Sequence, residues 1–187
     1  ENKKVQQYLE SRGVNAEEIK NFQIGYAPSS WDALSLHLEK SKAPLDLATE
    51  VGLIKPSTKQ QMSGSTHFDL FRDRVIFPII KLTGHVQAFG GRAINKDEGG
   101  PKFLNSQDSF AYKKSDTLFG LFQAQKHIRV ADAVMVVEGY FDVVTLHSYG
   151  IRNVVAVCGT ALTSQHLKIL RRLASKVIVL FDADRAG

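Results

Sequence analysis

Three carboxylates in the last third of this chain each follow an apolar run, and that placement restricts the fold more than any other feature. Ala133 to Val137 leads into Glu138-Gly139-Tyr140-Phe141-Asp142, and Val177 to Phe181 leads into Asp182-Ala183-Asp184. Between them come a helix-like stretch, a second strand-like run from Asn153 to Cys158, and another helix-like stretch. This alternation predicts parallel βαβαβ units, whose ligands gather at the carboxyl ends of the strands. If the first and last of these strands are neighbours, they lie about 4.8 Å apart, and Glu138, Asp182 and Asp184 converge. Like charges so close raise one another's pKa. A divalent cation relieves that conflict, and a donor set made only of oxygen favours Mg²⁺ or Mn²⁺.

Residues beside the acids fit the same picture. Gly139 lets the chain turn sharply from strand to helix near a bound ion. Asp142 falls on the first turn of the following helix, where it either supports the metal site from behind or is favoured by the helix dipole. Gly159 and Thr160 follow the middle strand, with backbone amides able to face phosphate.

The first 130 residues have a different texture. Lys4 to Arg12 carries Val5, Tyr8 and Leu9 at helical spacing and stops at Gly13. Asn15-Ala16-Glu17-Glu18 has the form of a capping box opening a short helix to about Phe22. Ser30 is placed to cap a third helix with Trp31, Leu34 and Leu38 on one face, while Pro44 and Gly52 bracket a fourth. Lys55 to Ser65 is polar and is expected to be a surface loop. Val75 to Leu82 and Val86 to Gly91, joined by Thr83-Gly84-His85, predict a β-hairpin, and Lys96 to Gly100 a polar turn. Asp116 is placed to cap a helix bearing Leu118, Leu121, Phe122 and Gln125, a stripe that is core by default. The chain is thus expected to fold as an α+β N-terminal subdomain over residues 1–130, with helices and a β-hairpin. An α/β segment with a parallel sheet then covers 131–187, truncated on its C-terminal side because three strands leave a hydrophobic edge.

Composition excludes several alternatives. With 43% hydrophobic and 23% charged residues among 187, the chain can bury a core and is not disordered. No apolar run approaches the ~20 residues of a membrane span, which with the missing signal pattern points to the cytoplasm. The single cysteine, Cys158, leaves no internal disulfide and no multi-cysteine zinc site, and its apolar neighbours predict a buried structural thiol. The six histidines show no ligand spacing and are expected to be structural. Net charge is +5, and Arg72 to Lys114 holds eight Lys or Arg against four Asp or Glu. Such a surplus is either a solvated face or a polyanion-binding surface.

Glu138-Gly139-Tyr140-x-Asp142 followed by Asp182-x-Asp184-x-Ala186-Gly187 resembles the TOPRIM fold of primases and topoisomerases. Upstream, Phe68-Asp69-Leu70-Phe71-Arg72-Asp73-Arg74-Val75-Ile76-Phe77-Pro78-Ile79 resembles a segment of bacterial DnaG-type primases. So do Ala88-Phe89-Gly90-Gly91-Arg92, Pro101-Lys102-Phe103-Leu104-Asn105-Ser106 and Leu118-Phe119-Gly120-Leu121. The resemblance runs in order along nearly the whole chain. It implies a piece of a primase RNA polymerase domain, making RNA primers on a single-stranded DNA template from ribonucleoside triphosphates by metal-dependent nucleotidyl transfer.

The same resemblance implies that Glu138, Asp182 and Asp184 hold the metals, with Glu138 also considered as a general base. It implies that Arg92, Lys102, Asn105 and Lys114 line a groove for template and nucleotides, with Arg12 matching an arginine of an Arg-Gly segment. Arg72 and Arg74 flank Asp73 and are as well placed to pair with it. Phe103 and Phe110 are suited to stack on bases, although aromatics here more often fill core. In such primases a zinc-binding domain precedes this region, the TOPRIM fold continues beyond it, and a C-terminal domain meets the replicative helicase at the fork. Without the rest of the sheet to brace Asp182 and Asp184 at a fraying terminus, residues 1–187 alone are expected to bind nucleic acid weakly and to make no primer. Alternatives are a TOPRIM topoisomerase or nuclease and a TOPRIM recombination mediator that clamps DNA. The Phe-Gly-Gly-Arg and Pro-Lys-Phe-Leu-Asn-Ser segments favour the primase.

Overall fold

The run Val154–Val157 has all four side chains buried, as in a strand covered on both faces. Its residues divide by parity. Val154 and Ala156 join one hydrophobic cluster together with Cys158, while Val155 and Val157 join another. The molecule is arranged around that strand. The structure is a computed structural model that describes residues 2–57, 65–95 and 100–182.

In the first half, α1 (Asn2–Ser11) ends before Gly13, which takes the left-handed φ of +75°. α2 (Ala16–Asn21) opens at Asn15, whose side chain accepts a hydrogen bond from the Glu18 amide at 2.8 Å. Then come β1 (Gly25–Ala27), α3 (Ala33–Lys40), α4 (Leu45–Glu50), β2 (Ile54–Pro56), β3 (His67–Asp69), β4 (Arg74–Ile80), β5 (Val86–Ala93) and β6 (Phe103–Asn105). β4 and β5 are the expected hairpin, turned at Gly84 and closed by the Lys81 amide on the His85 carbonyl at 2.9 Å. β1 and β6 extend it to an antiparallel sheet in the order β1-β4-β5-β6.

A 3₁₀ turn (Lys114–Asp116) leads to β7 (Leu118–Phe119), α5 (Leu121–Ala131), β8 (Ala133–Val137), α6 (Tyr140–Ser148), β9 (Val154–Val157), α7 (Ser164–Leu170) and β10 (Lys176–Val179). The second sheet has the order β10-β8-β9-β7, with β8 parallel to both β9 and β10. The predicted βαβαβ unit is therefore present, and its first and last strands are neighbours.

The two faces of this sheet carry the two cores. On one, Val134, Val136, Val155 and Val157 lie with Leu121, Ala124 and Ile128 of α5 and Leu170 of α7. On the other, Val137, Val154 and Ala156 meet Val143 and Val144 of α6, Val5 and Leu9 of α1, and Val75, Phe77 and Ile79 of β4. The antiparallel and parallel sheets thus share one core. Cys158 is fully buried within it, and burial raises its thiol pKa to about 11, as befits a structural cysteine.

Four expectations are corrected. Helix α3 begins after Trp31, and its amides at Leu34 and Ser35 donate to the Asp69 carboxylate at 2.6 and 2.9 Å. A buried carboxylate is a stronger acceptor than a hydroxyl, so Asp69 on β3 displaces Ser30, whose hydroxyl donates to Asp32 at 3.0 Å. Leu118 lies on no helix. It is paired antiparallel with Val157, where β7 covers an edge of β9, and α5 starts only after Gly120 at φ +79°. The supposed loop from Lys55 begins as strand, because β2 pairs with β3. Residues 58–64 of that loop, and Lys96 to Gly99 of the predicted turn, lie outside the described residues. Finally, Phe103 and Phe110 do not fill core: they are 57% and 71% exposed.

His147 on α6 is 1% exposed, 4.0 Å from the Glu18 carboxylate and edge-on to Phe22. Burial pushes its imidazole down to about 4, and the charges of Arg152 and His127 act in the same direction. An unfolded histidine titrates near ~6.5, so below that pH the unfolded chain takes up a proton that the folded chain refuses. The stability contributed by neutral His147 is complete above pH ~6.5 and falls away as the pH drops toward 4, a loss on the order of 3 kcal/mol. Urea unfolding followed from pH 7 to pH 4 should show this slope, and His147→Phe should flatten it. An unchanged slope in the variant would remove His147 as the cause.

Candidate functional site

Parallel pairing of β8 and β10 sets Val136 opposite Val179, and the Leu180 amide donates to the Val136 carbonyl at 2.9 Å. Both strands therefore release their acids at the same end of the sheet. The Asp182 amide donates to Glu138 Oε1 at 3.2 Å, which brings these two residues together. Asp184 lies outside the described residues.

The turn after β8 is built by Asp142. Its carboxylate reaches back to accept the Gly139 amide at 3.0 Å, one arm of a capping box at the start of α6. The backbone of Gly139 is ordinary, with φ −107°. Glycine is needed there for space, because a Cβ would stand 2.6 Å from the Asp142 carboxylate. Burial raises the Asp142 pKa, opposed by the Gly139 hydrogen bond, while the charge of Asp182 raises it further and Arg12 opposes. Glu138 and Asp182 offer oxygen only, the donor type that a hard divalent cation takes, while among the described residues no group of three His, Cys, Asp or Glu side chains is gathered closely enough to hold a metal ion.

Across from these acids lies a basic wall, and the two enclose a cleft of about 400 Å³. Arg92 on β5 sits opposite Phe103 on β6 in the strand register, and its guanidinium lies over the Phe103 ring at 4.5 Å. Arg92 is 8% exposed, and its Nε has no hydrogen-bond partner. Lys102 approaches the same ring at 5.4 Å. Arg12, just past the end of α1, lies over Phe141 at 5.5 Å, and its carbonyl accepts from the Thr145 hydroxyl at 2.9 Å.

The cleft thus gathers Arg12, Arg92, Lys102, Asn105, Glu138, Gly139, Asp142, Gly159 and Asp182 from remote parts of the chain. Lys114 and Thr160 are not among its lining residues. Lys114 opens the 3₁₀ turn, where its amide donates to Asp108 at 3.1 Å and its carbonyl accepts from His166 at 2.9 Å. Thr160 is half-buried beyond Gly159. Arg72 lies over the Trp31 ring at 4.0 Å, and the Asp73 carboxylate accepts from Tyr26 and Asn95, each at 2.6 Å. The cleft also contains Tyr140, Phe141 and Phe103. Tyr140 belongs to the Glu-Gly-Tyr-x-Asp segment, but the sequence alone assigns it no role in the site.

Comparisons with known proteins agree with this geometry. Residues 1–125 match the family described as DNA primase catalytic core, N-terminal domain, and residues 132–187 match the Toprim domain. The DNA primase of Myxococcus xanthus is 43% identical over the whole chain, which spans 30% of that protein. The crystal structure of the zinc-binding and RNA polymerase domains of Aquifex aeolicus primase matches with a TM-score of 0.88 at 40% identity, covering 100% of this chain and 44% of that one. A DnaG primase catalytic domain bound to ssDNA matches with a TM-score of 0.85 at 37% identity, covering 99% and 56%. The strand-end acids, the facing cations and these matches lead to one assignment: the chain belongs to the DNA primase catalytic core family and carries a Toprim segment.

Proposed function

We propose that this chain is the part of a bacterial DNA primase that joins ribonucleotides into a short RNA primer on single-stranded DNA. One observation carries the reading: a single cleft sets Glu138, Asp142 and Asp182 against Arg12, Arg92 and Lys102, in a chain whose relatives are DNA primases. The structural relative bound to ssDNA supports the choice of template. Residues 1–130 act as the N-terminal subdomain and 131–187 as the Toprim segment, a division supported by family matches that end at 125 and begin at 132. No described helix is long and apolar enough to cross a membrane. The bacterial cytoplasm, at the replication fork beside the helicase, is the proposed place of work.

Glu138 and Asp182 would hold Mg²⁺ or Mn²⁺, with Asp184 the expected third ligand. Such an ion supplies charge neutralisation on the transferred phosphoryl group and lowers the pKa of the attacking hydroxyl. The chain's own residues do the rest. Asp142 pins the Gly139 amide, so that the turn delivering Glu138 keeps its shape. Arg12, Arg92 and Lys102 attract the phosphates of template and nucleotide, and the exposed face of Phe103 is available to a base. Gly159 in the cleft and Thr160 just beyond it are proposed to present backbone rather than side chain to the ligand. Lys114 is proposed to meet nucleic acid beyond the cleft.

In the whole protein, Glu138→Gln and Asp182→Asn should each abolish ribonucleotide addition and leave single-strand affinity intact. Unchanged primer yield in both would sink the assignment of the acids. Lys102→Gln should weaken binding equally on unrelated sequences and shallow the dependence of log affinity on log salt by about 0.7. A fixed slope, with loss on one template sequence only, would mean that Lys102 reads a base and not a phosphate.

A further inference from the structure

A side-chain amide joins the β5–β6 wall of the cleft to the wall that carries the acids. Asn105, the last residue of β6, accepts the Tyr140 hydroxyl on Oδ1 at 3.0 Å and donates Nδ2 to the Cys158 carbonyl at 3.2 Å. The Cys158 carbonyl can only accept, which fixes the orientation of the amide. Tyr140 opens α6 two residues after Glu138, and Cys158 directly follows the last residue of the central strand. One residue of the basic wall therefore grips both the turn that carries the acid and the core strand beneath it.

The surroundings leave this arrangement little freedom. Gly90 pairs with Asn105 in the sheet, and a Cβ at Gly90 would stand 2.0 Å from the Tyr140 ring. The ring thus rests on bare backbone while its hydroxyl reaches the residue opposite. Phe119 holds it from another side, with ring centroids 4.6 Å apart. At Gly159 a Cβ would come within 2.6 Å of Asn105 Nδ2. Oδ1 and Nδ2 of Asn105 are both engaged inside the protein, although the residue lines the cleft.

We propose that Tyr140 and Asn105 form a latch that sets the spacing between Glu138 and the Arg92–Phe103 pair, so that both are positioning residues for nucleotide addition. This rests on the reading of the cleft given above. Groups that align reactants affect the rate steeply, and a displacement near 1 Å costs on the order of 100-fold. Ligand affinity, supplied by the cations and the aromatic face, is spared.

The test is a double-mutant cycle in the whole protein with Tyr140→Phe, Asn105→Ala and the pair, beside Glu138→Gln. Kinetics with ribonucleotides, single-strand affinity and thermal unfolding are measured for each. The latch predicts a kcat lowered about 10-fold or more in both single variants, with nucleotide KM and DNA affinity unchanged. It also predicts a double variant no worse than either single one, because both remove the same bond. If Asn105→Ala weakens DNA or nucleotide binding while Tyr140→Phe is silent, Asn105 is a ligand contact and the latch is wrong. If the losses multiply, or follow a fall in unfolding temperature instead of kcat alone, it is equally wrong. Loss of activity in Glu138→Gln with full kcat in the other two overturns the latch alone. Full activity in Glu138→Gln overturns the reading of the cleft, and the latch with it.

Discussion

Two-sided burial of β9 is the constraint on which everything else rests. Val155 and Val157 belong to the core under α5 and α7, while Val154, Ala156 and Cys158 belong to the core shared with α1, α6 and β4. A strand committed on both faces cannot slip by one residue without exchanging its two sets of side chains between the cores. The antiparallel sheet is therefore docked against a surface of fixed register. Val137, which immediately precedes Glu138, lies in that shared core beside the β4 residues. The position of the first acid is thus set by hydrophobic packing before any polar contact is made.

Charge in the cleft is arranged so that cations and acids face each other without cancelling. Among the described residues the ion pairs within 4.0 Å involve Glu17, Glu18, His147 and Arg152, and none spans the cleft. Arg12 and Arg92 lie instead over aromatic rings, at 5.5 and 4.5 Å. A cation–π contact is worth about 0.5–1 kcal/mol at an exposed site such as Arg12 and about 2 kcal/mol for a desolvated cation such as Arg92, enough to orient a guanidinium without neutralising its charge. A salt bridge to Asp142 or Glu138 would hold the arginine as well but would neutralise both partners. Aromatic support holds both arginines without neutralising the acids across the cleft.

Local pattern made the acid end of this site readable in the sequence. An apolar run followed by an acid is a strand and its carboxyl end, whereas the adjacency of β8 and β10 is only a condition of the sequence reading, which the sheet order meets. What stayed hidden was decided by partners distant along the chain. Leu118 has a helical neighbourhood but pairs with Val157, and Asp69 caps α3 from about 35 positions away. β1 and β6 are three residues each, too short to show an alternation, and exist because the edges of the β4–β5 hairpin accept them. Tyr140 and Asn105 show the same limit, since neither residue's neighbours announce the other.

Three glycines in and beside the cleft complete the argument, because each lies against a side chain already described. Gly139 makes room for the Asp142 carboxylate, Gly90 for the Tyr140 ring and Gly159 for the Asn105 amide, with open distances of 2.6, 2.0 and 2.6 Å to a hypothetical Cβ. Only Gly159 also needs glycine for its backbone, at φ +72°. At the other two positions the backbone would accept any residue, and the demand is purely for contact. Polar and aromatic groups packed against bare backbone have almost no room to shift, so the walls are held to a tolerance that hydrogen bonds alone would not give. Alignment across this cleft arises from side chains that are missing as much as from those that are present.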